Sequence, residues 1–484
     1  MSAQQLKPHA QRTELIKAAV VLAIAFSGWF IPAPAPMTQV GMETFTVFLS
    51  MVVGWTLTGD AWPSFMGIIL FPLTGVENMT QFLASGWGSQ AFFFMVLSFA
   101  MVGYMNTCGL SKFLVEWLMT RKFIVGHPWR LIFMILFAAY VVCSLVNNVI
   151  GLFLMWEIVY GITAVIDQKP YDKFPSIMVF GIAMQSAFSL SAMPWGGNSI
   201  ANLGVYANVA GAPANFLQYV SFTVPFGFIQ ILAYMLLIKL VFRLDVKPLS
   251  SVRPEDIAPD GVHTTPQVKI GMGLLVLFIA MLLIPSLFPV GSPAQAFYAR
   301  FGTVGIFVLF FAIISLLFYK NERVFIFADQ SKQNIPWNML IMVTVILAIG
   351  GCLMNDATGI APFLAQKVVP LLTSVPPWAF MIVLVLVETI LTNFLINMVV
   401  VALLLPVIMP ICPDLGLNPT VVAFTIMVVS TNAILTPAGC AAAAFLFPNK
   451  KWIRAKDIYK YGTPTVIINM IILVLYYFLF SVIL

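Results

Sequence analysis

Two apolar stretches of the sequence contain amide and hydroxyl side chains about halfway along their length. These are Asn147 and Asn148 in one stretch, and Thr392, Asn393 and Asn397 in the other. Amide and hydroxyl oxygens are ligands for hard cations, and amide N–H groups donate hydrogen bonds to anions. The residues therefore predict reversible binding of an ion or a small polar molecule, although a single Asn in such a segment can also serve helix packing.

Proline and glycine interrupt two further apolar stretches. They are SAMPWGGNSIAN, Ser191 to Asn202, and STNAILTPAGCAA, Ser430 to Ala442. Such residues break a helix and free backbone carbonyl and N–H groups, and the N-terminus of the following half-helix suits a carboxylate. The alternative is that they only kink their helices. The candidate residues are Gly196, Gly197, Asn198, Thr436 and Pro437.

The sequence does not predict an enzyme. We find no metal cluster, paired-carboxylate motif or nucleophile with an adjacent base, which an enzyme site would need. The histidines His9, His127 and His263 fall in terminal or loop segments, so no histidine proton relay is expected. The five cysteines lack metal-type spacing and are assigned to packing.

The composition places these residues in a membrane. Hydrophobic residues make up 61% of the chain and charged residues only 9%, whereas a soluble protein has about 25% charged residues. We therefore predict an all-α integral membrane protein. Apolar runs long enough to cross a bilayer are expected at 15–32, 45–59, 61–75, 88–108, 174–208, 217–243, 270–289, 299–319, 337–355, 419–447 and 461–483.

Two apolar stretches, 131–165 and 376–411, are too long for one span and carry the polar residues at their middle. We predict that each is a re-entrant hairpin. Lys and Arg residues then fall on the cytoplasmic side, except Arg300 and Lys367. This sorting predicts about 11 spans in a multi-pass plasma membrane protein, with a cytoplasmic N-terminus and an extracytoplasmic C-terminus. It also explains the net charge of +6 without a nucleic-acid partner.

The first apolar run precedes PAPAPM, which resembles the end of a signal peptide, but its length favours an uncleaved helix. A polar, proline-rich stretch near the middle of the chain predicts a cytoplasmic linker. The predicted organisation is an N-terminal segment at 1–40, a first repeat at 41–243, the linker at 244–269 and a second repeat at 270–484.

The two halves share residues in one register. The interval is 250 positions for Trp87 and Trp337, Gly109 and Gly359, Phe113 and Phe363, Leu114 and Leu364, and Asn147 and Asn397. The charge sorting makes one hairpin enter from inside and the other from outside, so the repeat is predicted to be inverted. Inverted repeats with broken helices at mid-membrane are typical of secondary transporters, and they fit alternating access better than a channel.

Four segments carry a resemblance to a known family. They are GWGSQAFFFMVLSFAMVGYMNTCGLSKFLVEWL, IPWNMLIMVTVILAIGGCLMNDATGIAPFLAQKV, VNNVIGLFLMWEI and TNFLINMVVVALLLPVI. The chain resembles the divalent anion/sodium symporter family of the ion transporter superfamily. The resemblance implies uptake of dicarboxylates or tricarboxylates, generally with sodium, by an elevator mechanism in a homodimer. No cofactor is implied apart from Na+ as a coupling ion.

That family has a Ser-Asn-Thr triplet at each hairpin tip. The corresponding triplets here are Val146-Asn147-Asn148 and Ile396-Asn397-Met398, so the central asparagines are kept and the flanking hydroxyls are lost. Thr392 supplies a hydroxyl in the second half, whereas its counterpart is Val142. The loss of hydroxyls predicts a ligand less polar than succinate or citrate at one end.

The resemblance and the polar residues together define the expected site. The predicted substrate-binding residues are Asn147, Asn148, Asn198, Asn397, Thr436 and Pro437. The predicted ion-binding residues are Asn147, Gly196, Gly197, Thr392 and Asn397. Two acids, Glu157 and Glu388, also lie in apolar stretches, where each either carries a coupling proton or sits at a hairpin base that water reaches.

We expect a secondary transporter of organic anions, with a di- or monocarboxylate as substrate and a cation as the coupling ion. The alternative is a proton-coupled or exchange carrier of another anion, such as an arsenite-type or sulfate-like permease of the same superfamily. An exchanger would be expected to keep acids at the tips, where this sequence has neutral amides.

Overall fold

The computed structural model describes residues 8–58, 61–257, 261–289, 292–363, 366–367, 370 and 375–482. In the first half its α-helices are Pro8–Ser27, Gln39–Thr58, Trp62–Leu73, Met79–Gly86, Gln90–Thr107, Leu110–Met119, Pro128–Leu145, Asn148–Val165, Lys173–Ser189, Gly197–Ala210 and Phe216–Leu237. A π-helical turn at Ile238–Phe242 extends the last of these. The all-α prediction is confirmed.

In the second half the α-helices are Pro254–Ile257, Pro266–Leu283, Pro293–Ser315, Phe327–Asn334, Trp337–Met354, Ile360–Phe363, Pro377–Phe394, Asn397–Ile408, Pro419–Val429, Ala441–Leu446 and Ala455–Ser481. Single 3-10 turns occur at Lys122–Ile124, Lys247–Ser251, Ile284–Leu287, Asp356–Thr358, Met409–Ile411 and Pro413–Leu415. A two-residue antiparallel ladder pairs Phe318–Tyr319 with Glu322–Arg323.

Eight of the described helices are long and apolar enough to cross a membrane, or nine if the bent helix around Gly302 is counted. This makes the chain a multi-pass membrane protein. Both arms of the first predicted hairpin, Pro128–Leu145 and Asn148–Val165, are among these eight helices. The number of spans, and whether these arms re-enter the membrane, therefore stay predictions.

The first predicted span, 15–32, is displaced in the structure. The helix runs from Pro8 to Ser27 and is followed by a turn at Trp29, so the predicted C-terminal end is five residues too late. The turn is fixed by the next helix, because the Gln39 side chain donates to the carbonyl of Gly28 over 2.6 Å. Apolar composition alone did not locate this end.

Both predicted hairpin stretches consist of two helices joined by a break of two residues. The first breaks at Val146 and Asn147, and the second at Leu395 and Ile396. At the first break the Cys143 thiol donates to the carbonyl of Asn148 over 3.3 Å. The two arms of each hairpin pack against each other.

Both proline- and glycine-containing stretches are broken helices. The first ends its initial helix at Ser189 and begins the next at Gly197; the second leaves residues 430–440 outside any helix. The pieces pack across the two halves of the chain. Helix Gly197–Ala210 contacts the second hairpin arm Asn397–Ile408, and the Phe445 ring lies 5.0 Å from that of Phe153 in the first hairpin.

The predicted repeat has counterparts in the backbone. Gly109 and Gly359, separated by 250 positions, both adopt left-handed conformations, with φ of 82° and 63°, and each follows a helix of 18 residues by a short turn. Of the other predicted pairs, Leu364 lies outside the described residues. The inverted orientation of the halves stays a prediction. The linker is partly folded, since Leu249 is buried in a 3-10 turn.

Candidate functional site

At the first hairpin tip, Asn147 forms the N-terminal cap of the second arm. Its Oδ1 accepts hydrogen bonds from the backbone N–H groups of Val149 and Ile150, both over 3.0 Å. A side-chain oxygen in this position satisfies N–H groups that have no partner within the helix. Asn147 thus has a local structural role, and its amide nitrogen remains the group available to a ligand.

The neighbouring Asn148 joins the hairpin to the first broken helix. Its Nδ2 donates to the hydroxyls of Ser186 and Ser189 over 2.8 and 2.9 Å, and to the Ser186 carbonyl. The Oδ1 of Asn148 is buried without a partner among the described residues. The hairpin tip and the end of helix Lys173–Ser189 therefore form one hydrogen-bonded unit with an unused acceptor.

Three backbone carbonyls at the first helix break accept hydrogen bonds from side-chain hydroxyls. The Leu190 carbonyl accepts from Ser199 over 2.9 Å. The Ser191 carbonyl accepts from Tyr219 over 2.6 Å, and the Ala192 carbonyl from Thr223 over 2.7 Å. Each of these three carbonyls therefore accepts a hydrogen bond from a side chain within the protein, and whether the break also serves an ion stays a prediction.

The helix after this break has an open N-terminus. Gly196 caps helix Gly197–Ala210 without any side-chain hydrogen bond. A Cβ at Gly197 would lie only 2.7 Å from Cζ of Phe99 and 3.1 Å from Cε of Met339. The first turn thus exposes backbone N–H groups beside an aromatic ring and a thioether.

A cavity of about 390 Å³ connects these groups. Among the predicted residues, its walls contain Asn147, Asn148, Gly196, Gly197 and Asn198. The residues that sequence reasoning missed are Phe99, Val102, Gly103, Asn106, Cys143, Ser144, Val146, Val149, Ser189, Leu190, Trp195, Pro336, Met339 and Ala441. No described residue that lines the cavity carries a charge.

The cavity can accept an anion without a cationic side chain. The N-termini of helices Asn148–Val165 and Gly197–Ala210 both reach its walls. A helix N-terminus carries roughly +0.5 elementary charge. Helix Gly197–Ala210 has no side-chain cap on its first N–H groups, whereas Asn147 already accepts from Val149 and Ile150 at the other helix. The amides of Asn147 and Asn198 add further donors, and the rings of Phe99 and Trp195 supply apolar surface.

The second hairpin tip is built differently. The Thr392 hydroxyl lies 3.1 Å from Oδ1 of Asn397 and also donates to the carbonyl of Ser430. Asn397 is 2% exposed, and its Nδ2 has no partner among the described residues. Three oxygens and one unused amide donor therefore meet where the second hairpin contacts the end of helix Pro419–Val429.

Asn393 holds the second hairpin against the second helix break. Its Oδ1 accepts from the backbone N–H of Leu435 over 2.8 Å, and its Nδ2 donates to the carbonyl of Asn432 over 3.2 Å. The Thr436 hydroxyl donates to the carbonyl of Asn393. Pro437 is exposed. Asn393 and Thr436 thus have structural partners that the sequence did not indicate.

The structure separates the predicted residues into two groups. The five from the first half line the cavity, whereas Thr392, Asn397, Thr436 and Pro437 are absent from its walls as described. The two groups are connected through the protein, because the Ser191 hydroxyl donates to the carbonyl of Met427 over 2.7 Å. The fold therefore does not place all the predicted residues around one cavity.

The two acids in apolar stretches have opposite environments. Glu157 is exposed on the surface of the first hairpin. Glu388 is fully buried in the second hairpin, so the expectation that water reaches a hairpin base does not apply to it. Sequence position alone could not separate these two residues.

Comparison with known proteins identifies the family. The sequence profile described as "Citrate transporter" matches residues 48–429, which is most of the chain. The chain belongs to the citrate transporter family. The predicted relationship to the divalent anion/sodium symporters of the ion transporter superfamily is confirmed, and so is the prediction of a transporter rather than an enzyme.

Two relatives are similar to this citrate transporter family member in sequence. An uncharacterized transporter of Methanocaldococcus jannaschii is 21% identical over 356 residues, covering 72% of this chain and 73% of the relative. Human solute carrier family 13 member 4 is 23% identical over 141 residues, covering 29% of this chain and 22% of the human protein. The second match therefore spans under a quarter of that carrier's length.

Two solved structures have a similar fold. The YdaH transporter of Alcanivorax borkumensis superposes with a TM-score of 0.55 at 14% identity, covering 82% of this chain and 87% of that one. MtrF of Neisseria gonorrhoeae superposes with a TM-score of 0.56 at 12% identity, covering 99% and 96%. These low identities show a shared membrane-transporter fold and nothing about the substrate.

Proposed function

We propose that this family member is a secondary active transporter of organic carboxylates, driven by a coupled cation. The observation that carries the proposal is the uncharged cavity onto which the N-termini of two helices open. Family membership supports anion transport in a membrane. Fixed backbone dipoles stabilise an anion and, unlike a buried lysine, add no full positive charge that must itself leave water.

The cavity walls favour a di- or monocarboxylate over a more highly charged anion. Phe99, Trp195 and Met339 present apolar surface close to the open N-terminus at Gly197. A carboxylate on the N–H groups would leave the rest of the ligand against these side chains. Ile396 and Met398, where the symporter family has hydroxyls, support the same preference.

Sodium is our first candidate for the coupling ion. In this proposal Thr392 and Asn397 contribute side-chain oxygens at the second tip, and the backbone around Gly196 and Gly197 contributes at the first. Sodium requires several hard oxygens, and Asn397 Oδ1 and the Ser430 carbonyl already lie within hydrogen-bonding distance of Thr392 Oγ1. The valine at position 146 makes the first tip the poorer sodium site.

We further propose an elevator cycle in a homodimer of the plasma membrane, with the N-terminus in the cytoplasm and the C-terminus outside. The hairpins and broken helices would move together as one body. The contacts between helix Gly197–Ala210 and the second hairpin support this grouping, as do those between helix Ala441–Leu446 and the first hairpin.

A proton-coupled carrier or an exchanger, including an arsenite-type or sulfate-like permease, is the second candidate. The buried Glu388 favours it, because an acid inside a membrane protein is a common feature of proton pathways.

Uptake into proteoliposomes tests both candidates. Labelled mono-, di- and tricarboxylates, with arsenite and sulfate as competitors, are presented with an inward sodium gradient, an inward proton gradient or neither. We expect gradient-driven accumulation of at least one mono- or dicarboxylate. Folded protein that transports no carboxylate under any gradient would refute the proposal.

A further inference from the structure

Glu388 occupies an unusual position in the first arm of the second hairpin. Its side chain is 0% exposed, and neither carboxyl oxygen has a hydrogen-bond partner among the described residues. It lies on the buried face of helix Pro377–Phe394, between the apolar Leu384 and Val385 and the polar Thr392. An ionised carboxylate in such a place is strongly unfavourable unless a cation or a proton neutralises it.

The helices packed against this arm offer no cation at its depth. Asn397–Ile408 and Pro419–Val429 contain no titratable residue. The third, Ala455–Ser481, has its charged residues in its first two turns. The titratable residues of that helix are Lys456, Asp457, Tyr459, Lys460, Tyr461, Tyr476 and Tyr477.

The tyrosines of helix Ala455–Ser481 face other partners. The Tyr461 ring packs on Phe242, and Tyr476 donates to the carbonyl of Phe222 over 2.9 Å. The Tyr477 hydroxyl accepts from the backbone N–H of Asn418 over 3.2 Å. Tyr459 is exposed. The described neighbours therefore provide no counter-ion, so neutralisation of Glu388 requires a mobile cation.

The geometry favours a proton over sodium as that cation. Adjacent residues on a helix point in different directions, so Thr389 does not join Glu388 around one ion, whereas Thr392 shares its face. The Thr392 hydroxyl bonds to Asn397 and Ser430 and not to Glu388, whose carboxyl oxygens have no hydrogen-bond partner among the described residues. A metal ion at Glu388 would then lack the several oxygens it needs, whereas a proton needs only one carboxyl oxygen.

We propose that Glu388 is the site that carries a coupling proton during anion transport. The carboxylate takes up a proton from water on one side of the membrane, crosses as a neutral acid with the hairpin, and releases the proton on the other side. This inference rests on the proposed transport function and takes the second of its two candidates, coupling to a proton. Glu388 lies one turn before Thr392, which contacts the hairpin tip at Asn397, so its charge acts directly on the element that must move.

The matched pair Glu388→Gln and Glu157→Gln tests the proposal. Both acids lie in hairpin arms, but Glu157 is exposed. Each protein is reconstituted with a pH-sensitive dye inside the vesicles. A step of one pH unit supports about tenfold accumulation for each coupled proton. We expect wild type and Glu157→Gln to respond to the step and acidify the interior when anion is added.

Glu388→Gln is expected to lose both responses while it still exchanges labelled anion for unlabelled anion across the membrane. Proton-driven accumulation by Glu388→Gln at the wild-type level would overturn the assignment, as would transport by wild type that ignores the proton gradient. Absence of exchange in wild-type protein for every anion would instead refute the proposed function.

If Glu388→Gln does not fold, the wild-type protein is treated with an apolar carbodiimide, which reacts with protonated carboxyls in apolar surroundings. We expect labelling at Glu388 that increases as the pH falls and stops proton entry. Labelling that leaves proton entry intact would overturn the assignment.

Discussion

The hydroxyl of Thr392 and the Oδ1 of Asn397 lie 3.1 Å apart across the turn of the second hairpin. The first hairpin cannot make this contact, because the residue at the corresponding position is Val142. There the asparagine instead caps the following helix. The two tips thus keep the same central residue but use its amide differently, which makes the second tip the stronger candidate for an ion.

Thr392→Val should impair the second tip selectively. The substitution keeps the shape of the side chain but removes the donor to Asn397 and Ser430, leaving buried acceptors unpaired at a cost of about 1–3 kcal/mol. We expect a lower midpoint of thermal unfolding and, if sodium binds here, a raised sodium concentration for half-maximal uptake. Thr392→Ser, which keeps the hydroxyl, is the control. Equal sodium dependence in all three proteins would remove Thr392 from the ion site.

Asn148→Ala should weaken the connection between the first hairpin and the first broken helix. It removes the donors to Ser186 and Ser189, which lie in a buried environment. We expect destabilisation of about 1–3 kcal/mol by denaturant unfolding and reduced uptake. Asn215→Ala, which removes a more exposed helix cap, provides the comparison. A smaller loss for Asn148→Ala than for Asn215→Ala would contradict this account of the tip.

Gly197→Ala should obstruct the open helix terminus. The added Cβ would lie 2.7 Å from Cζ of Phe99, closer than ordinary contact allows. We expect substrate affinity to fall by about tenfold, which corresponds to a loss of about 1.4 kcal/mol in the free energy of binding. Gly161→Ala, where nothing lies within 4 Å of the new Cβ, should transport like wild type.

A second substitution tests whether the contact with Phe99 is the cause. Phe99→Leu in the Gly197→Ala background shortens the neighbouring side chain and should recover part of the lost affinity. If the double variant binds substrate no better than Gly197→Ala, the contact with Phe99 is not the reason that the methyl group lowers the affinity. Competition uptake with unlabelled substrate measures all of these affinities.

Local sequence signals predicted the breaks and the tips but not what they contact. Asn147 and Gly196 could be found because an amide or paired glycines stand out in an apolar run. The partners of the first break, Tyr219 and Thr223, lie in the predicted span 217–243, which the sequence did not link to the break. The sequence around one buried hydroxyl in a membrane helix does not indicate which distant carbonyl will accept its hydrogen bond.

Tertiary contacts also decided which acid is buried. Glu157 and Glu388 have similarly apolar neighbours in sequence, and only packing against three other helices distinguishes the second. The cavity walls were missed for the same reason. Phe99 and Met339 approach Gly197 from helices about 100 and 140 residues away in the sequence, and no periodic pattern within one segment records such an approach.

Gly359→Ala should destabilise the fold more than a left-handed glycine ordinarily does. At φ of 63° an alanine costs about 1–2 kcal/mol, and here its Cβ would also lie 2.5 Å from the carbonyl oxygen of Pro36. Gly416→Ala is the matched control, because φ is 67° and nothing lies within 4 Å of the new Cβ. Thermal unfolding in detergent should therefore give a larger loss at 359 than at 416. Equal losses of thermal stability would mean that the chain around Pro36 shifts to accommodate the methyl group without destabilising the protein. The contact between this segment and the turn at Gly359 would then not stabilise the fold.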